Sequence, residues 1–275
     1  LLGKPLGQSF AARMQNAGYE AAGLNMLYFY TEVDKDHLGD VVNGLRYMNF
    51  AGFAVTKPNK VRVLRYLDEL DPLCKKMGAS NTVVKTPEGK LIGYNTDGVG
   101  FYTSLVEEGK INVEESTFFC FGAGGAGRAM CSVLAYHGAK KIYITDFYEP
   151  CAESLVMDIN ENFAPVAELV HHGDYAKIAE CNVVMNASGI GMGSTIGQTP
   201  MPVGHIQPGQ FYFDACYNPD KTQFLLNAEE KGCQVLNGLG MSLYQGAAQI
   251  ELWTGEKAPV EAMRKELMDI LAESK

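Results

Sequence analysis

Hydrophobic and polar positions along the chain switch repeatedly between a spacing near 3.6 residues and strict alternation, and each switch marks an element. The pattern predicts a helix over residues 9–23, a strand over 27–33, a helix over 35–45, a short strand over 52–56 and a helix over 61–70. Residues 82–85 and 90–94 alternate as strands about a Pro87-Glu88-Gly89 turn, and a helix over 97–109 follows. Beyond it come helices near 151–161 and 222–231 and strands near 183–186, 210–214 and 234–236. Two amphipathic helices, 241–253 and 259–272, come last. This order predicts an α/β protein, most simply two α/β domains facing across a cleft.

Residues 118–146 form one unit of special character. The apolar run Phe118-Phe119-Cys120-Phe121 leads into Gly122-Ala123-Gly124-Gly125-Ala126-Gly127, then a helical stretch, then Ile142-Tyr143-Ile144-Thr145 ending at Asp146. Strand, G-x-G-x-x-G, helix, strand and acid make the dinucleotide fingerprint in the context it requires. Gly122 permits the tight turn, Gly124 lets the backbone approach a pyrophosphate, and Gly127 lets helix and strand pack closely. The N–H groups and dipole of a helix starting near Gly125 favour the phosphates. Asp146 suits the ribose diol of NAD. The 2′-phosphate of NADP calls for Arg or Lys, but Phe147, Tyr148 and Glu149 follow. NAD is the expected cofactor, NADP the less favoured one.

Composition narrows the class further. Of 275 residues 47% are hydrophobic and 20% charged, as in ordinary globular domains. A formal net charge of −9 disfavours nucleic acid and anionic membrane as partners. No apolar stretch reaches the length of a membrane span, and no signal segment is recognisable. Seven cysteines, at 74, 120, 131, 151, 181, 216 and 233, never take C-x-x-C spacing, so buried free thiols are expected rather than disulfides or a metal site. The expected setting is cytoplasmic. A start at Leu1 rather than Met implies that a few residues are missing, and a homodimer is compatible with the class.

Six further motifs occur in order. They are Gly3-x-Pro5-x3-Ser9, Val55-Thr56-x-Pro58-x-Lys60, Gly78-Ala79-Ser80-Asn81-Thr82, Gly93-Tyr94-Asn95-Thr96-Asp97-x2-Gly100, Asp214-x2-Tyr217-Asn218-Pro219 and Gly238-x2-Met241-x3-Gln245-Gly246. This succession resembles the shikimate dehydrogenase family, quinate/shikimate members included. The resemblance implies a substrate domain over residues 1–100, completed by 238–275, with a Rossmann domain over 101–237 between. It implies a catalytic pair, Lys60 as acid/base and Asp97 as its partner. It also implies that Ser9, Thr56, Asn81, Tyr217 and Gln245 hydrogen-bond a small cyclic hydroxy acid. Asn186 and Ser188, in a loop that resembles the family's Asn-Ala-Thr-Pro-x-Gly-Met, would border the nicotinamide with Gly238 and Met241. The chemistry is hydride transfer between shikimate or quinate and the dinucleotide, while Lys60 moves the hydroxyl proton. Desolvation favours the neutral amine that such a base needs, and a carboxylate partner opposes it.

Departures from the family pattern concentrate where substrate would bind. The usual Ser-x-Ser-Pro followed by His-Asn reads Ser9-Phe10-Ala11-Ala12 and then Gln15-Asn16, and the usual Asn-Val-Thr reads Ala54-Val55-Thr56. Ala11 and Ala54 are expected to remove polar groups near the substrate, with Arg13 either a compensating cation or, by helical spacing from Ser9, solvent-facing. A different ring acid such as aminoshikimate, or a ligand-sensing homologue without turnover, are the alternatives. Retention of both Lys60 and Asp97 disfavours the second.

Overall fold

The computed structural model describes residues 1–6 and 10–273. Contacts divide the chain into one unit made of Leu1–Gly100 with Leu243–Lys275 and another made of Phe101–Ser242. Among the described residues no helix is long and apolar enough to cross a membrane.

The first unit contains β1 (Leu2–Gly3), α1 (Phe10–Ala21), β2 (Thr31–Glu32), α2 (Leu38–Tyr47), β3 (Gly52–Ala54), β4 (Glu69–Leu70), α3 (Pro72–Met77), β5 (Thr82–Lys85), β6 (Leu91–Tyr94) and the start of α4 (Thr96–Glu107). Its main sheet runs β3-β5-β6-β4, with β5 antiparallel to both neighbours and β4 parallel to β6. The parallel pair β1–β2 joins this sheet through a bridge from Leu2 to Val55. Leu2, Val42, Phe53, Val55, Val63, Val83 and Leu91 form its core.

Two sequence expectations are modified here, and one helix is added. The strand expected over 27–33 shrinks to β2, because the Asn16 side chain takes both backbone groups of Tyr28, donating to its carbonyl at 2.9 Å and accepting from its N–H at 2.7 Å. The helix expected over 61–70 is a 3-10 turn over Arg62–Tyr66. The chain turns extended at Leu67, and Asp68 and Leu91 then exchange hydrogen bonds that carry β4 to the sheet edge. The helix α3 was not anticipated, although its signals are local: Asp71 caps the N–H groups of Leu73 and Cys74, Pro72 opens it, and Gly78 ends it left-handed.

The second unit contains the rest of α4, then β7 (Thr117–Phe121), α5 (Gly125–Tyr136), β8 (Lys141–Thr145), α6 (Glu149–Asn162), β9 (Ala167–Leu169), β10 (Val183–Asn186), β11 (Phe211–Asp214), α7 (Gln223–Glu230), β12 (Gln234–Asn237) and the first turn of α8 (Leu239–Thr254). Its six strands are all parallel in the order β12-β11-β10-β7-β8-β9, a doubly wound Rossmann sheet whose winding reverses between β7 and β10. The strand β9, short and at the edge, is additional to those expected. Phe118–Phe121, Val183–Asn186 and Phe211–Asp214 are buried throughout, because a parallel sheet covered on both faces needs continuous apolar runs. The chain returns to the first unit inside α8, between Ser242 and Leu243, a few residues after the sequence-based boundary at 238. The rest of α8 belongs to the first unit with α9 (Val260–Glu273), which packs on α1.

Phe213 is fully buried in β11 and meets Phe101 edge-on at 4.9 Å between ring centres. Phe213→Ala is expected to destabilise the second unit by about 3–5 kcal/mol, measured from the urea midpoint of its unfolding transition.

Candidate active site

In the first unit the residues expected to act together do converge. Lys60 Nζ lies 2.6 Å from Asp97 Oδ2, and their side chains retain 29% and 19% of their exposure. The pair is reachable by solvent yet sheltered enough that the ammonium is held by one carboxylate. Lys60 lies in the turn that follows β3, and Asp97 stands in the first turn of α4, where a negative charge is favoured by the helix dipole.

Asn81 fixes both positions through its own backbone and side chain. Its carbonyl accepts from Val55 N–H at 2.7 Å, which anchors the exit of β3 ahead of Thr56 and Lys60. Its Oδ1 accepts from Thr96 N–H at 2.7 Å, which caps α4 one residue before Asp97. The adjacent Ser80 N–H donates to the Lys60 carbonyl at 2.9 Å. Asn81 Nδ2 also donates to Thr96 Oγ1 at 3.0 Å and reaches Gln245 Oε1 at 3.5 Å. Thr56 is half-buried, its N–H donating to the Leu2 carbonyl at 2.9 Å. Ser9 lies outside the described residues. Tyr217 belongs to the second unit, where burial raises its phenol and a hydrogen bond with Ser242 opposes that rise.

The family departures take on a different meaning in three dimensions. Ala54 is buried in β3 and pairs with Thr82, so it belongs to the core of the sheet. Gln15 is fully buried on α1 and donates to Gln249 Oε1 at 2.8 Å and to the Gly246 carbonyl at 3.1 Å. Arg13 is a surface residue held by Glu266 and Glu273 of α9, which ties two helices together. Ala11 is half-buried at the start of α1.

In the second unit the glycine loop crosses from β7 into α5 at the point where the winding reverses. Gly122 has φ +100°, and a Cβ there would sit 2.6 Å from Ser188 N, so the loop after β7 lies directly against the loop after β10. At Gly127 a Cβ would fall 1.9 Å from the Gly122 carbonyl oxygen, too close for any side chain. Gly124 and Gly125 are exposed, Ala126 is half-buried, and the space beside Gly124 is open. An uncovered N-terminus of a twelve-residue helix beside open backbone is the material of a pyrophosphate cradle, so the residues present fit a dinucleotide.

Asp146 stands past the tip of β8. Its Oδ2 accepts from Ala123 N–H at 2.7 Å and its Oδ1 from Tyr148 N–H at 2.8 Å. These bonds fix the carboxylate, and each oxygen keeps a further lone pair. Phe147 beside it is 87% exposed. Arg128, on the first turn of α5, is engaged by Asp158 at 2.5 Å. Asn186 is buried at the end of β10 and holds its loop from inside, accepting from Ser188 N–H and Oγ while donating to the Ile190 carbonyl and to Asp214. Burial raises the Asp214 carboxyl, and hydrogen bonds from Thr222, Cys216 and Asn186 oppose that rise. Sequence reasoning had not singled out Asp214 or Thr222 for this inner role, although Asp214 opens one of the six motifs. Ser188 is exposed, Met241 half-buried, and Gly238 buried where a Cβ would meet the Ala215 carbonyl at 2.1 Å. Six cysteines are buried free thiols, and Cys151 is exposed.

A Rossmann unit with a complete dinucleotide loop, on a chain whose other unit presents a lysine–carboxylate pair, defines the class of nicotinamide-dependent alcohol oxidoreductases. The comparisons give the family. Residues 1–83 match the shikimate dehydrogenase substrate binding domain, and residues 238–268 match the shikimate 5′-dehydrogenase C-terminal domain. A relative from Desulforamulus reducens named shikimate dehydrogenase (NADP(+)) is 40% identical over 97% of this chain and 93% of its own length. The crystal structure of shikimate 5-dehydrogenase from Listeria monocytogenes, in complex with shikimate and NAD, superposes with a TM-score of 0.92 at 37% identity, covering 97% of this chain and 94% of that one. Quinate dehydrogenase from Corynebacterium glutamicum in complex with NAD gives 0.90 at 28% identity, over 98% of this chain and 97% of that one. The chain belongs to the shikimate dehydrogenase family.

Gly127→Ala is expected to force the loop and α5 apart and to weaken dinucleotide binding by at least about tenfold, since at least one phosphate hydrogen bond is lost. Equilibrium titration with NAD and NADP checks this.

Proposed function

We propose that this chain interconverts shikimate, or quinate, with the corresponding keto acid, and that it prefers NAD to NADP. The observation that carries the reading is the Lys60–Asp97 pair at 2.6 Å, within a frame of neutral amides and hydroxyls. Lys60 exchanges the proton of the reacting hydroxyl, taking it as a neutral amine during oxidation and returning it as an ammonium during reduction. Asp97 accepts from Lys60 Nζ, orients it, and balances its charge when protonated. Thr56, Asn81, Gln245 and Tyr217 supply the hydrogen-bonding groups that a polyhydroxylated ring acid requires. NAD, when bound, supplies the hydride-accepting ring.

Gly122, Gly124, Gly125, Ala126 and Gly127 would hold the pyrophosphate, and Asn186, Ser188, Gly238 and Met241 would border the nicotinamide. The preference for NAD rests on Asp146. Its fixed carboxylate accepts from a ribose diol but repels a 2′-phosphate, and Arg128, the cation on the first turn of α5, is already paired with Asp158. Curated relatives are named for NADP(+), and similar structures contain NAD, as in the Listeria and Corynebacterium enzymes, or NADP(H), as in shikimate 5-dehydrogenase from Thermus thermophilus, so the preference rests on Asp146 and not on the likeness.

Initial rates with NAD and NADP against shikimate and quinate test the reading. Saturable turnover with NAD is expected, and Lys60→Ala is expected to lower kcat by at least about a hundredfold with NAD binding unchanged. Absence of turnover with both acids, in protein that binds NAD, would sink the substrate assignment. Asp146→Asn with Phe147→Arg is expected to shift the ratio of kcat/KM toward NADP by about tenfold or more, because the arginine hydrogen-bonds the 2′-phosphate and the carboxylate no longer repels it. An unchanged ratio would remove Asp146 from cofactor selection.

A further inference from the structure

The loop that leaves β10 has little stiffness of its own. Gly189 has φ +81° where the family usually has proline, whose ring confines φ to about −65°, and the space beside it is open. Hydrogen bonds to the Asn186 side chain give the loop its shape instead. Ser188 N–H can only donate, and it points to Asn186 Oδ1 at 3.1 Å. The Ile190 carbonyl can only accept, and it lies 2.9 Å from Asn186 Nδ2, so two backbone groups fix which end of the amide is which. Ser188 Oγ donates to the same Oδ1 at 2.6 Å and accepts from Ile190 N–H at 3.2 Å, which closes residues 188–190 on Asn186.

The second hydrogen on Asn186 Nδ2 goes to Asp214 Oδ1 at 3.0 Å. The same oxygen accepts from Cys216 N–H at 2.9 Å, and Oδ2 accepts from Thr222 Oγ1 at 2.6 Å. Thr222 is held as the cap of α7, and it also packs on the loop: a Cβ on Gly191 would meet Thr222 Cβ at 3.0 Å. Asn186, Asp214 and Thr222 are fully buried. A carboxylate out of water is costly unless donors meet it, and three do so here. The root of the loop is fastened separately, since Ala187 N–H donates to the Phe121 carbonyl at 2.7 Å.

We propose that Asp214 is a positioning residue which, through Asn186, holds residues 188–191 in the shape that receives the nicotinamide half of the dinucleotide. Fully buried and met by three donors, it acts through the loop and not by touching the cofactor. The inference rests on the reading that this loop borders the nicotinamide.

The test compares two ligands at equilibrium on the intact chain: NADH, and ADP-ribose, which lacks the nicotinamide. Asp214→Ala is expected to weaken NADH binding about tenfold, the worth of one ordered buried hydrogen bond, with ADP-ribose within about threefold of wild type. Loosening of the whole unit would weaken both ligands alike. Asp214→Asn is the rescue. Cys216 N–H still requires an acceptor, so the new amide oxygen faces it and Asn186, and NADH affinity is expected within about threefold of wild type. Gly191→Ala sets a Cβ against Thr222 at φ +103°, displaces the loop directly, and is expected to weaken NADH about tenfold while sparing ADP-ribose. Should Asp214→Ala fold poorly, Asp214→Leu fills the vacated space and carries the same comparison. Three results would each overturn the positioning role alone: equal loss of both ligands in Asp214→Ala, unchanged NADH affinity there while Gly191→Ala weakens it, or a tenfold loss in Asp214→Asn. Unchanged NADH affinity in Gly191→Ala would overturn the reading of the loop beneath it.

Discussion

Asn81 is the constraint on which the first unit's chemistry depends. Two element ends and the body of a helix, far apart in sequence, are fastened to it: the exit of β3 by its carbonyl, the start of α4 by its Oδ1, and α8 through Gln245. Lys60 and Asp97 are 37 residues apart, yet they meet at 2.6 Å because both follow segments tied to this residue and its neighbour Ser80. An asparagine suits the post because it donates and accepts along one short rigid side chain. A leucine of similar size would pack and leave Thr96 N–H without its cap, at a cost typical of a buried unpaired donor.

The second unit solves a different problem with the opposite material. Where the first unit collects polar side chains, the dinucleotide loop carries only glycine and alanine. A Cβ on Gly127 would lie 1.9 Å from the Gly122 carbonyl, and one on Gly122 would press into the backbone of Ser188. The loops after β7 and β10 thus meet backbone to backbone, which leaves the N-terminus of α5 uncovered. Asp146, clamped by two backbone N–H groups, then becomes a fixed negative charge at the tip of β8. Belonging to the shikimate dehydrogenase family sets the common frame of both units.

The departures from the family pattern show how far residue identity alone carries. Ala54 reads as a polar group lost near a ligand and Gln15 as a departure from the family's histidine; in the fold the one lies in the buried sheet and the other is a buried donor to Gln249 and Gly246. Arg13 is solvent-facing as its helical spacing suggested, and it is also a clasp between α1 and α9 that no local pattern could disclose. In each case the decisive partner comes from a segment more than 200 residues away or from the opposite strand of a sheet.

By itself the sequence determined what is local. The apolar runs of β7, β10 and β11, the glycine loop with its acid and the amphipathic helices follow from residue spacing, because period, turn conformation and helix dipole are properties of contiguous chain. The short elements were less legible. The strands β4 and β9 take their character from neighbours, and residues 27–30 lost theirs because Asn16 occupies the hydrogen-bonding groups of Tyr28. Only the tertiary structure decided which polar groups of the first unit face one another and in which direction their hydrogens point. That direction is set by where backbone groups that can only donate, or only accept, come to lie once the chain has folded, and spacing along the chain does not encode it.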